Sequence, residues 1–329
     1  MYTEFFGLRE RPFDLTPNPR YLFLTAKHRE ALCNLRYGIA ARRGVTLLIG
    51  EAGTGKTTLV RAVLESERQR STHCVYLSNP TLTRAELVEF LARAFELSDR
   101  AATSKTALLF ELERVLLERQ SRGVVTAVLV DEAQVLSLEL LEEVRLLANI
   151  ETDTEKLLPV VLAGQPQLAD RLNHPDLRQL KQRVALRCEL KPLDSKETAA
   201  YIAERVRIAG GTSAELFTRE AVELIHQCAR GIPRTIGVIC DNALVSGFAT
   251  DRRPVGYDLV YEVCQDFDLN PPPKAARTPV KPAAAQRKPA AEASTPEGVN
   301  VDREAGRAMS GASGGLFSSF TERRRFSFF

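Results

Sequence analysis

Gly50-Glu51-Ala52-Gly53-Thr54-Gly55-Lys56-Thr57 follows directly on the apolar run 45–49 and opens an amphipathic segment over 58–69. The octapeptide fits G-x-x-x-x-G-K-[ST]. A strand that ends in a glycine-rich turn and feeds a helix aims successive backbone N–H groups, and the positive end of a helix dipole, at one spot, which suits a polyphosphate. In this reading residues Gly50, Glu51, Ala52, Gly53, Thr54, Gly55, Lys56, Thr57 and Thr58 wrap the phosphates. Lys56 reaches the β- and γ-phosphates, and the Thr57 hydroxyl joins the shell of a Mg²⁺ ion. ATP and Mg²⁺ are the expected cofactors.

A second motif lies downstream, Val128-Leu-Val-Asp131-Glu132-Ala-Gln134. The run 124–130 reads as a strand buried on both faces that delivers two carboxylates at its C-terminal end, where open α/β sheets bind ligands. Asp131 is placed to hold the Mg²⁺ shell. Glu132 is placed to orient and polarise the water that attacks the γ-phosphate. Asp alone would allow binding without turnover; the adjacent Glu argues for hydrolysis.

With 329 residues the chain has room for a nucleotide-binding domain, a smaller companion and a tail. From Pro271 onward ten Lys or Arg face five Asp or Glu, which leaves the first 270 residues slightly acidic and makes basic character a property of the tail. The six cysteines form no C-x-x-C and the four histidines are isolated, so neither a disulfide framework nor a zinc site is expected. Buried thiols in a reducing cytoplasm are the reading that follows. The N-terminus lacks the charge and apolar pattern of a signal peptide, and no apolar run reaches the length of a transmembrane helix.

Short apolar runs at 45–49, 74–77, 124–130, 158–163 and 185–190 alternate with amphipathic stretches at 25–42, 58–69, 83–95, 106–122 and 138–150. The pattern predicts an α/β fold, a P-loop core whose parallel sheet is flanked by helices. After Pro192 the strand signal stops. Asp194-Ser-Lys-Glu197 reads as a helix start, and helices are predicted over 197–209, 219–229, 233–250 and 257–266. The expected organisation is a core over 1–191, an all-helical lid over 192–268 and a Pro/Ala/basic tail over 269–329. That composition cannot build a core and predicts disorder.

Phe5-Phe-Gly-Leu8, Pro12-Phe-Asp-Leu-Thr-Pro17, Pro19-Arg-Tyr-Leu-Phe-Leu24 and His28-Arg-Glu-Ala-Leu32 resemble the N-terminus of ExeA/GspA-type AAA+ ATPases. Gly164-Gln-Pro-Gln-Leu168, Leu177-Arg-Gln-Leu-Lys-Gln-Arg183 and Gly231-Ile-Pro-Arg234 extend the likeness, which covers residues 1–268. The resemblance implies an AAA+ ATPase of a bacterial secretion, pilus or exopolysaccharide assembly system. More distantly the chain resembles TniB/TnsC-type transposition regulators, which assemble on DNA.

Within that frame Gln165 follows the strand expected beside the phosphate-loop strand, so its amide is placed to sense the γ-phosphate or the lytic water. Arg234, after a proline suited to a first helical turn, is placed to reach the phosphates and couple lid angle to nucleotide state. Arg178, Arg183 and Arg187 fall near the subunit edge of an AAA+ arrangement. One of them is expected to act in a neighbour's site as an arginine finger, with Arg183 favoured, which makes the active form a homo-oligomer.

ExeA-type proteins continue past the lid into a transmembrane helix and a periplasmic domain, whereas here a Pro/Ala/Lys linker ends in Phe317-Ser-Ser-Phe320-Thr-Glu-Arg-Arg-Arg-Phe-Ser-Phe-Phe329. Direct cell-wall contact is therefore placed in doubt. This basic, Phe-rich end suits either peripheral contact with an anionic membrane or docking on a partner; an unstructured end suits it equally. Two roles remain open. One is an ATP-driven motor or switch for envelope assembly, cytoplasmic or peripheral at the inner membrane. The other is a DNA-associated regulator of transposition, which the slightly acidic first 270 residues disfavour.

Overall fold

Alternation along the central strand sets up three layers in the computed structural model, which describes residues 1–269 apart from 15, 17, 69, 71 and 79. The elements, in chain order, begin with α1 (Tyr2–Phe5), α2 (Ala26–Ala40), β1 (Val45–Gly50), α3 (Lys56–Arg68), β2 (Thr72–Leu77), α4 (Arg84–Ala94), α5 (Asp99–Thr103) and α6 (Lys105–Ser121). There follow β3 (Val125–Val130), α7 (Leu138–Leu147), β4 (Val160–Gly164), α8 (Pro166–Arg171), α9 (Arg178–Gln182) and β5 (Val184–Leu190). The chain then turns helical: α10 (Ser195–Ile208), α11 (Ser213–Leu216), α12 (Arg219–Ala229), α13 (Pro233–Ala249) and α14 (Tyr257–Asp266).

All strand pairs are parallel and the order is β2-β3-β4-β1-β5. Val45, Leu47 and Ile49 of β1 join Val128, Leu112 and Leu140 in one core, under α4, α6 and α7. Leu48 points the other way, into a core with Leu129, Val161, Leu35, Ile39, Leu59 and Val63 from β3, β4, α2 and α3. Each fully buried Leu contributes about 1.5–3 kcal/mol of apolar burial, and both faces of the sheet are used. The edge strand β5 departs from the run of buried residues expected over 185–190. Ala185, Arg187 and Glu189 are exposed, because only one face of this strand is covered by α2.

Helix starts follow their caps. Thr25, Ser104, Ser137 and Thr218 accept backbone N–H groups of the first turn, and Thr83–Glu86 and Asp194–Glu197 form reciprocal capping boxes. The short helices α5, α8 and α9 have too few turns to show a period and were not expected. Helix α7 stops three residues before the predicted end at 150, as the chain turns into a bridge between Glu151 and Lys156.

The N-terminal segment differs most from the expected organisation. Sequence order groups it with the sheet, but Tyr2, Phe6, Leu8 and Phe13 are buried among Leu193, Tyr201, Ile202, Phe217 and Ile236 of the helical unit. Arg205 of α10 fixes it there, lying 5.8 Å from the Phe13 ring centre and 4.7 Å from that of Tyr21 while its guanidinium donates to the carbonyls of Pro12 and Asp14. Among the described residues no helix is long and apolar enough to cross a membrane. All six cysteines are free, with Cys188, Cys228, Cys240 and Cys264 buried, Cys74 half-buried and Cys33 exposed. The Phe-rich end and the expected disorder beyond 269 lie outside the described residues.

The helical unit is aimed by one turn. Arg230 and Gly231 both take positive φ, 51° and 72°, and the Gly231 carbonyl accepts the Leu193 N–H at 2.8 Å. A Cβ on Gly231 would lie 2.0 Å from the Leu193 carbonyl oxygen. Gly231→Ala is therefore expected to lower stability by about 2 kcal/mol or more, read as a reduced midpoint in chemical denaturation. An unchanged midpoint would show that the turn tolerates a side chain.

Candidate active site

The phosphate loop is built by φ angles that only glycine takes easily: Gly53 at 82° and Gly55 at 99°. At Gly53 a second reason applies. A Cβ there would come within 2.8 Å of Arg234 Cβ and 3.0 Å of Ile232 Cγ2, because the start of α13 lies directly against the loop. The Arg234 N–H donates to the Gly53 carbonyl at 3.2 Å. Loop and helical unit thus share a backbone hydrogen bond at the residue expected to couple them.

Lys56 is 4% exposed, and its Nζ donates to the carbonyls of Gly50 at 2.9 Å and Glu51 at 3.1 Å. Burial pulls its pKa below the ordinary lysine value, against the opposing pull of Glu132, Asp131 and Glu51. Among the described residues the buried ammonium hydrogen-bonds two neutral carbonyls, while the carboxylates act on it from a distance. An anion would satisfy it better.

Asp131 is 2% exposed and fully engaged. Its Oδ2 accepts from Thr57 Oγ1 at 2.6 Å and from the Tyr76 hydroxyl at 3.3 Å, while Oδ1 accepts the Glu132 N–H at 2.9 Å. A hydroxyl and a carboxylate at this distance are the hard oxygen donors that Mg²⁺ takes from protein while phosphates and water supply the rest. Among the described residues no group of three or more His, Cys, Asp or Glu could hold a metal by itself. The donor set fits a metal that arrives with a phosphate.

Glu132 sits in the left-handed region at φ 51°, ψ 35°. Its Oε2 accepts from Gln134 Nε2 at 2.5 Å, with Gln165 Nε2 at 3.5 Å. Gln165 reaches this place because β4 pairs with β1, Ile49 opposite Gly164, and ends beside the phosphate loop.

One cavity of about 320 Å³ collects these groups: Gly53 to Thr58, Glu132 and Arg234 line it, together with Tyr21, Phe23, His28, Tyr201 and Arg205. Sequence reasoning gave no role to these last five. Tyr21 and Phe23 lay in a stretch noted only for its resemblance, and His28 in the helix after it. His28 Nε2 bonds the Thr54 carbonyl at 3.1 Å. A carbonyl only accepts, so Nε2 carries the proton and Nδ1 accepts the Thr25 hydroxyl at 2.8 Å. Tyr201 and Arg205, one helical turn apart, carry no local signal at all.

Other expected residues do not line this cavity: Ala52, Asp131 and Gln165 lie outside the lining, although Asp131 bonds Thr57 and Gln165 Nε2 lies 3.5 Å from Glu132 Oε2. Gly50, Glu51 and Arg187 border a separate groove with Asp170 and Glu189. Arg178 and Arg183 are exposed. Arg183 bonds Val45 through its carbonyl at 3.0 Å, at the N-terminal end of β1, about 16 Å along the strand from the phosphate loop. It does not meet its own site, so a role for it in hydrolysis requires a neighbour's.

Residues 39–172 match the family model of an AAA domain. Over 257 residues, 78% of this chain, the sequence is 46% identical to General secretion pathway protein A of Aeromonas hydrophila, and spans about half (46%) of that protein's length. The resemblance read from the motifs is thereby borne out. Among solved structures, Cdc6p from Pyrobaculum aerophilum is similar with a TM-score of 0.60 at 16% identity, over 77% of this chain and 70% of that one. The ORC2 protein of Aeropyrum pernix, in ADPNP-ADP complexes, gives 0.57 at 19% identity, over 78% and 71%. At these identities the structures speak for the fold, an AAA-type P-loop core with a parallel five-stranded sheet.

Burial holds the pKa of His28 below its ordinary 6.5. The unfolded chain then binds a proton near pH 6.5 that the folded chain takes up only at lower pH. The associated stability is complete above pH 6.5 and is lost as pH falls below it. Between about pH 7.5 and about pH 5.5 the parent should lose more stability in denaturant titrations than His28→Gln. Equal losses would show that His28 does not contribute.

Proposed function

From its likeness to General secretion pathway protein A, we propose that the chain binds and hydrolyses ATP with Mg²⁺ and works as an oligomer that drives or switches a bacterial envelope-assembly system. The observation that carries the nucleotide chemistry is the 2.6 Å contact of Thr57 with Asp131 on the cavity that Lys56 and Glu132 share. Lys56 exchanges its two carbonyl partners for phosphate oxygens. Thr57 and Asp131 hold Mg²⁺, which neutralises charge on the phosphates when bound. Glu132 takes the proton of the attacking water as the new P–O bond forms and the bond to the ADP oxygen breaks. Gln165 orients the same water. Arg234 contacts the phosphates and, through its N–H bond to Gly53, transmits their presence to the helical unit. The units proposed are the core, the helical lid from 192 to 268 with residues 1–13 packed on it, and the tail.

Arg183 is proposed to act on a neighbour's nucleotide, which would explain an exposed guanidinium remote from its own cavity. A DNA-associated role shares all of this chemistry. The slightly acidic first 270 residues favour the envelope role.

Lys56→Ala is expected to weaken ATP binding roughly ten- to a hundredfold, the range of a lost charged hydrogen bond. Glu132→Gln should keep binding and lose turnover by about 10²–10⁴-fold. Full activity in purified Glu132→Gln would sink the base assignment. In a separate assay, inactive Arg183→Ala should regain activity on mixing with Lys56→Ala, since one interface then joins an intact loop to an intact finger. ATPase that does not vary with protein concentration, from a species that stays monomeric with ATP, would contradict the oligomer.

A further inference from the structure

Gln134 lies two residues beyond Glu132 on a single 3-10 turn, Ala133–Val135. Its amide is held at both ends. Oε1 accepts the backbone N–H of Gln165 at 3.0 Å, and Nε2 donates to Glu132 Oε2 at 2.5 Å. The Gln134 carbonyl accepts from Arg171 Nη1 on α8. Gly164 makes room for this arrangement, since a Cβ there would lie 3.0 Å from Gln134 Oε1 and 2.8 Å from Leu168 Cδ2.

The amide has only one workable orientation. A backbone N–H can only donate, so Oε1 must face Gln165, and Nε2 is thereby turned to the carboxylate. Both side-chain amides that reach Glu132, from Gln134 and from Gln165, fall on the same oxygen, Oε2. Among the described residues neither side-chain amide reaches the other oxygen, Oε1, and Glu132 lines the cavity.

We propose that Gln134 is a positioning residue for hydrolysis: its amide clamps Oε2 of Glu132 to the loop that carries Gln165, so that Oε1 is presented to the attacking water. The inference rests on the proposed role of Glu132 as the base. It adds a mechanical consequence. The base and Gln165 are tied to one another and, through Arg171, to α8, so a displacement of α8 reaches Glu132 without passing through the phosphate loop. Gln134 is then the point at which events outside the cavity can switch turnover without altering affinity.

Two substitutions separate the clamp from a spacer. Gln134→Glu keeps the shape and the acceptor for Gln165 N–H but sets a carboxylate against Glu132. Gln134→Met keeps the length and removes both polar ends. In each, kcat is expected to fall about tenfold, part of the roughly 10²–10⁴ that a positioned base supplies. KM, the Kd of a fluorescent ATP analogue and the thermal unfolding midpoint are expected to stay near the parent's. A parental kcat in either variant overturns the clamp, and a loss of nucleotide binding or stability in step with kcat shows a spacer instead. Glu132→Gln in the same assay keeps the two ideas apart. If it is inactive while the Gln134 variants turn over normally, only the clamp fails; if it is fully active, the base assignment fails and the clamp with it.

Discussion

β3 and β1 carry the two halves of the candidate site, yet they are not neighbours. β4 lies between them, so their axes are about 9–10 Å apart. The Thr57–Asp131 contact closes that gap at 2.6 Å over the end of β4. β4 finishes in Ala163-Gly164, level with Ile49 of β1. Thr57 lies in the first turn of α3, one turn above the strand, and Asp131 is the first residue past β3. A larger residue at 164 would meet Leu168 and Gln134 together. The parallel sheet thus brings three strand ends to one rim.

The cavity closes from the other side by a different kind of contact. Residues 1–13 precede the sheet in sequence but pack with the helices that follow it, so the chain wraps the core and returns to its own end. Arg205 holds this return. It stands over three aromatic rings, Phe13, Tyr21 and Tyr201, and satisfies backbone carbonyls of the segment that leads into the cavity wall. A guanidinium suits the place because its planar fork stacks and donates at once. The N-terminal wall is therefore fastened to the helical unit, and the Arg234–Gly53 bond fastens that unit to the phosphate loop. A displacement of the unit would therefore be felt by both walls.

These features were unequally legible in the sequence. β1, β3 and β4 were readable because burial on both faces leaves runs made mostly of Val, Leu and Ile, and Asp131 and Glu132 because they end such a run. Lys56, Thr57, Asp131 and Glu132 converge as their spacing implied, and Gln165 arrives where a β4–β1 pairing would bring it. What escaped was non-local. Nothing near Phe13 signals that it will be buried against Phe217, and nothing near Arg205 foretells partners at Pro12 and Asp14. Helices of five or six residues, such as α8 and α9, hold barely more than one turn, too little for a period to emerge. His28 looked like one of four isolated histidines, because its partners Thr25 and Thr54 are a capping residue and a loop carbonyl rather than other titratable groups.

Glu132 itself shows why a functional residue can break a local rule. A non-glycine residue in the left-handed region costs on the order of 1–3 kcal/mol, and glycine would remove that cost. The chain keeps Glu there and compensates locally: the N–H of Glu132 bonds Asp131 Oδ1, its carbonyl accepts the Val135 N–H, and its carboxylate is held by Gln134. The left-handed turn has a geometric result that an extended residue would not give. It reverses the chain within one residue of the strand end, so that Asp131 keeps its contact with Thr57 while the next side chain lines the same cavity. Two consecutive carboxylates on a strand would point to opposite faces; here Asp131 meets Thr57 while Glu132 lines the cavity.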